Sequence, residues 1–133
     1  TYFKVNTVPR SGIFTWNHIN FQLVQTVHIM DGYNIQPSFG LLFTLNKKKV
    51  FITTDTQFCP HQIEDFYRDA DIIFQDCETS PFKSGVHAHY TDLCTLPENI
   101  RNKMWLYHYQ DGKLPDAIKD GFLGFVKKGD IFQ

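Results

Sequence analysis

Apolar positions fall in short bursts along this chain. Thr1 to Val8 alternates loosely and predicts an edge strand, closed by Pro9 and the turn Ser11-Gly12. Phe21 to Ile29 predicts a stronger strand, with Phe21, Leu23, Gln25 and Val27 on one face and the turn Asp31-Gly32 beyond it. Phe39 to Leu45 and Lys49 to Thr54 predict two apolar strands joined by the hairpin Asn46-Lys47-Lys48. After Asp55 the period changes. Pro60 can open a helix, where its missing N–H would have no partner anyway, and Ile63, Phe66 and Tyr67 form one apolar face at i, i+3, i+4. Ala70 to Asp76 returns as a strand, and a helix between two strands predicts a crossover with parallel pairing. Thr79 to Gly85 reads as a loop and Thr91 as the cap of a short turn. Thr95-Leu96-Pro97-Glu98 has the spacing of a capping box for a helix to about Lys103. Met104 to Tyr109 predicts another strand, Pro115 to Lys119 a helical turn, and Leu123 to Val126 a last strand. No repeat, low-complexity tract or linker interrupts the 133 residues. They predict one domain or half-domain over residues 1–133, α/β in class, with a mixed sheet and short helices.

Sheets of this kind gather ligands at their strand ends. Four polar side chains stand there or in the loops that follow: Asp55, Asp76, His89 and His108. A carboxylate at the end of an apolar run is costly to bury unpaired, and a metal or a hydrogen-bond network removes that cost. Asp55 and His108 together offer hard and borderline donors suited to a divalent cation. The plainer alternative is an N-capping Asp55 and a hydrogen-bonded His108. Two ligands also fall short of the roughly three that a catalytic zinc takes beside its water. His61 reads as an exposed residue of the first helical turn and His87 as part of the loop.

Thirteen Phe and six Tyr suit sheet faces packed on helices. A formal net charge of −1 supplies no positive field for nucleic acid, so DNA is not an expected partner. No apolar run is long enough to span a bilayer, which excludes a helical membrane anchor within this sequence. Cys59, Cys77 and Cys94 are odd in number and too widely spaced for a zinc knuckle. They read as free thiols of a reducing, cytoplasmic compartment. A chain opening on Thr1 suggests a processed or truncated product.

Together the runs VFITTDTQF, ADIIFQDCET, HAHYT and WLYHY, over roughly Phe21 to Val126, resemble the C-terminal half of a metallo-β-lactamase-fold hydrolase, in the ribonuclease Z-like phosphodiesterase branch. The resemblance implies half of a four-layer αββα fold. It implies that Asp55 in TTDT bridges two divalent metals, zinc first and manganese second, and that His108 binds one of them. It implies that His89, in the H-x-T motif His89-Tyr90-Thr91, contacts the scissile phosphate. Asp76 stands where the family has a glutamate supporting that histidine. His28, before Asp31-Gly32-Tyr33, resembles a family segment without metal ligands, which implies a structural role. The HxHxDH motif and the further histidine ligand belong to the N-terminal half and are absent. The expected activity is hydrolysis of a phosphodiester, a small cyclic nucleotide or an RNA 3′ end. The chain alone is expected to be inactive, and its apolar sheet face to be covered by an N-terminal half or a second copy. The alternative from another class is a non-catalytic truncated domain serving as an oligomerisation module.

Overall fold

In a computed structural model that describes residues 2–132, seven strands form one sheet whose spatial order follows the chain. The strands are β1 (Ile13–Trp16), β2 (Ile19–Asp31), β3 (Asn34–Leu45), β4 (Lys48–Ile52), β5 (Ile72–Asp76), β6 (Met104–Tyr107) and β7 (Gly124–Phe125). The first four pair antiparallel, as short hairpins allow, and β4 to β7 pair parallel through crossovers. The tight turns Asn17-His18 and Asn46-Lys47 both hold two residues at positive φ, the twist-matched geometry of two-residue hairpins. Three helices occupy the crossovers: α1 (Pro60–Asp69), α2 (Tyr90–Leu93) and α3 (Glu98–Arg101).

Residues directly opposite each other in the ladders share a face. One face carries Val24, Thr26, Leu42, Phe51, Ile73, Gln75, Met104 and Leu106, all buried. It packs with Ile63 and Tyr67 of α1, Leu93 of α2 and Ile100 of α3 in one core cluster, and the Tyr67 hydroxyl donates to Gln75 Oε1. The opposite face carries Phe21, Leu23, Phe39, Leu41, Phe43, Ile52, Phe74 and Trp105, all only half-buried. Stacked rings line it, Phe14 on Phe21 at 5.2 Å and Phe21 against Phe43 at 4.8 Å. Phe132 lies edge-on to Phe74 and Trp105 and covers one end of it. The mixed sheet with short helices is as expected; a four-layer arrangement goes beyond what these residues contain.

Three local expectations are corrected. The edge strand is Ile13–Trp16, because Phe14 can stack on Phe21 across the ladder, while the described part of Thr1 to Val8 (Tyr2 onward) is exposed and forms no strand. No capping box forms at α3: Pro97 takes the N-cap, and the Thr95 hydroxyl turns back to donate to the Asp92 carbonyl at the end of α2. The cap of α2 is His89 rather than Thr91.

The β2–β3 ribbon outruns its neighbour, since β4 pairs with β3 only from Leu41 to Leu45. A bulge between Val27 and Ile29 interrupts it at His28, opposite Pro37. The Val27 carbonyl stands on the outer edge of β2, the edge from which the Leu23 amide donates to Gly12, and beyond the end of β1 it accepts from the Gln57 amide at 2.7 Å and the Thr56 hydroxyl at 3.2 Å. Where β4 leaves the sheet, Gly40 makes room for it. A Cβ there would lie 2.7 Å from the Ile52 carbonyl oxygen and 2.9 Å from the Phe51 ring. Gly40→Ala should therefore lower stability by about 1–3 kcal/mol, the usual cost of overpacking. The check is a shift of the urea midpoint at unchanged slope; an unshifted midpoint would show that β4 can move aside.

Candidate functional site

The site forms where β4, β5 and β6 end together. Asp76, the last residue of β5, is fully buried. Its amide donates to Thr53 Oγ1 at 3.0 Å, which ties it to the end of β4. Its carboxylate oxygens only accept, so the groups around them must donate. The Thr56 amide reaches Oδ2 at 2.9 Å, His87 Nδ1 reaches Oδ2 at 2.7 Å, and His108 Nδ1 reaches Oδ1 at 3.0 Å. Both imidazoles thus carry their hydrogen on Nδ1 and keep Nε2 as the lone-pair nitrogen. The His87 and His108 rings meet edge-on at 4.7 Å. Asp55 Oδ1 lies 3.5 Å from His108 Nδ1. Ligand atoms of Asp55, Asp76, His87 and His108 all fall within 4.8 Å of one another. Asp55 and His108 are about half exposed, at 47% and 48%, whereas Asp76 is at 0%.

Of the residues expected from sequence, Asp55, Asp76 and His108 come together and His89 does not join them. The expected pairing of Asp76 with His89 is replaced by one with His87. A parallel bridge pairs Glu78 with His89, and the hydrogen bonds Glu78 N to Ala88 O at 2.8 Å and Tyr90 N to Glu78 O at 2.9 Å fix the register. His87 then lies beside the end of β5 and His89 at the start of α2. His89 Nδ1 accepts from the Thr91 hydroxyl at 2.8 Å and amide at 3.2 Å, and Nε2 donates to the Ser80 carbonyl at 2.9 Å. Both of its ring nitrogens are engaged. Two histidines two residues apart were visible in sequence, but the residue that caps the helix was not.

His28 makes a structural contact, as expected. At the β2 bulge its Nδ1 donates to the Val86 carbonyl at 2.9 Å, one residue before His87, and its ring lies 5.1 Å from the His87 ring. The Gln57 side chain donates to the His28 carbonyl at 3.0 Å, so the loop after Asp55 is tied to the bulge. The thiols of Cys59, Cys77 and Cys94 are free and pushed up by burial, in keeping with small apolar residues rather than ligands.

A family profile described as "Anti-Pycsar protein Apyc1" matches residues 1–132. This chain belongs to the Apyc1 family. Curated relatives described as anti-Pycsar protein Apyc1 include one from Bacillus phage vB_BsuM-Goe3, 30% identical over 84% of this chain and 43% of its own length. Another, from Paenibacillus harenae, is 34% identical over 70% of this chain and 36% of its own. This Apyc1-family chain thus spans less than half the length of the relatives it matches. Among solved structures, the metallo-β-lactamase fold protein YhfI from Bacillus subtilis superposes with a TM-score of 0.68 at 14% identity, over 92% of this chain and 52% of that one. The Apyc1-family chain therefore shares the metallo-β-lactamase fold; nothing in these likenesses singles out the ribonuclease Z branch. No helix among the described residues is long and apolar enough to cross a membrane.

The donor set suits a divalent metal. Asp55 presents an open carboxylate, and His108 has a free Nε2 with its other nitrogen donating to a buried carboxylate, the arrangement that orients metal-binding histidines. Both Asp76 oxygens already accept N–H groups, so Asp76 is the orienting carboxylate.

Asp76→Asn should lower stability by about 1–3 kcal/mol, because an amide NH₂ would face N–H donors and leave one buried group unpaired. Chemical denaturation measures this, and long-range imidazole NMR should show His87 or His108 losing its fixed Nδ1–H form; an unchanged spectrum would discount Asp76 as the orienter. A second expectation concerns Glu78. Burial pushes its carboxyl up, but the Ser84 amide and hydroxyl, the Ser80 hydroxyl and nearby His89 outweigh that and hold it below the ordinary range. Lowered on folding, it stabilises above the ordinary glutamate value of about 4.3 and loses that contribution as pH falls through the folded value. The stability gap between parent and Glu78→Gln should be full at neutral pH and close on acidification. A gap that widened in acid would reverse the sign.

Proposed function

We propose that these residues form the C-terminal part of a dinuclear metal phosphodiesterase, ribonuclease Z-like in the order of its motifs and acting on a small cyclic nucleotide. The observation that carries this reading is the fully buried Asp76 holding His87 and His108 by their Nδ1 atoms, with Asp55 in the same group. Asp55 and His108 would hold metal, zinc first and manganese as the alternative. His28, with Nδ1 donated to Val86 O, has Nε2 left to offer. Divalent metal at such a site activates a nucleophile and neutralises charge on phosphoryl oxygens. His87 is the proton donor: with Nδ1–H fixed on Asp76, it can carry a second proton on Nε2 and release it to the leaving oxygen. An N-terminal half of the fold or a second copy of the chain completes the centre and covers the half-buried Phe- and Leu-rich face. Family membership and a net charge of −1 support a small cyclic nucleotide over an RNA 3′ end. The 133 residues alone should turn over nothing.

The test uses the longest protein that carries these residues, loaded with zinc or manganese and assayed on cyclic mononucleotides and on RNA 3′ ends. Asp55→Ala and His108→Ala should lose metal. His87→Ala should keep metal and lose roughly 10²–10⁴-fold in kcat, the usual contribution of a general acid, while His89→Ala should cost far less. Loss of activity on His89→Ala alone would return the proton-donor role to His89. A protein that binds no metal would leave the reading as an oligomerisation module, which the half-buried sheet face favours.

A further inference from the structure

Thr54 immediately precedes Asp55 and has φ +54°. A β-branched residue in the left-handed region is strained, and such strain persists only where the surroundings over-determine it. Among the described non-glycine residues, the other positive φ values are Asn17, His18, Asn46 and Lys47, which sit in the two tight hairpins, and His108. Thr54 and His108 are therefore the pair that no hairpin explains. They follow β4 and β6, the two strands flanking β5, and in each case the left-handed residue brings a side chain, Asp55 or His108, into the group around Asp76.

The grip on Thr54 is a relay from β3. The Ser38 hydroxyl lies 2.7 Å from Thr54 Oγ1, and Thr54 Oγ1 donates to the Phe39 carbonyl at 3.0 Å. With its one hydrogen committed to Phe39, Thr54 accepts from Ser38. On the other side, Thr53 Oγ1 donates to the Thr54 carbonyl at 2.9 Å while accepting the Asp76 amide. The bare Gly40 lets this edge of β3 come close enough, since a Cβ there would lie 3.1 Å from the Thr53 carbonyl oxygen. The Thr53 and Thr54 hydroxyls thus both donate and accept to hold a conformation that threonine disfavours.

We infer that Thr54 is a positioning residue: its hydroxyl, locked to Ser38 and Phe39, holds a left-handed turn that aims the Asp55 carboxylate into the metal-binding group. The inference rests on the proposed metal role of Asp55, and it adds that β3 sets the aim. Glycine would take the same φ without strain but would also be free to leave it. Strain relief and aim should therefore separate.

The experiment measures zinc affinity by competition with a chromogenic chelator, and the melting temperature of the metal-free protein, for the full-length parent and four variants. Thr54→Ser keeps the hydroxyl and should bind within about threefold of the parent. Thr54→Gly and Thr54→Val should each bind roughly 10–100-fold more weakly, the range seen when a partner that orients a ligand is removed. Thr54→Gly should do so without a lower metal-free melting temperature. Ser38→Ala should weaken binding in the same direction, and serves should Thr54→Val not fold. Gly and Val variants that bind as tightly as the parent would overturn the inference, as would affinity losses that merely track melting temperature across the set. A parent that binds neither zinc nor manganese in the same competition would overturn the proposed function instead.

Discussion

One buried carboxylate, that of Asp76, organises the end of this sheet. A charge taken out of water must be met by donors, and Asp76 meets three: a backbone amide and two imidazoles. Those donors come from the exit of β4, from the segment leading into α2 and from the exit of β6. One side chain therefore gathers three loops that are distant in sequence. Parallel pairing makes this possible, because β4, β5 and β6 all end at the same edge of the sheet.

Asp55, Asp76 and His108 were legible because each closes or follows an apolar run, and a run of that kind announces both a strand and where it stops. His87 was not, because its place depends on a two-residue choice of register made by the Glu78–His89 bridge. A family motif pointed to His89, whose side chain serves the helix start and the Ser80 carbonyl. The bulge at His28 was not foreseen, since no alternation pattern reveals one. The first strand was misplaced for a similar reason: loose alternation at Thr1 to Val8 looked sufficient, yet what fixes an edge strand is a ring to stack on, and Phe14 has Phe21. Thr95 to Glu98 had the spacing of a capping box, and the proline between them decided otherwise.

The two faces of the sheet are unequal in a way that the family likeness makes intelligible. Helices bury the middle of one face, from Val24 and Leu42 to Leu106, and the other carries a strip of aromatic and aliphatic side chains that stay half-buried. The relatives run to more than twice the matched length. At the sheet end Asp55 and His108 are half exposed although the carboxylate behind them is sealed.

The shortness of β1 has a consequence that reaches the site. It pairs with β2 only from Ile19 to Gln22, and the carbonyls of Gln25 and Val27 stand on the same edge of β2 as the Leu23 amide, which donates to Gly12. No strand reaches those two carbonyls, so the Gln62 side chain takes the first at 2.9 Å and the Gln57 amide the second at 2.7 Å. A longer first strand would cover that edge and claim both oxygens for its own ladder. The whereabouts of a chemically active loop are thus decided by where an edge strand stops, although that strand contributes nothing to the metal-binding group.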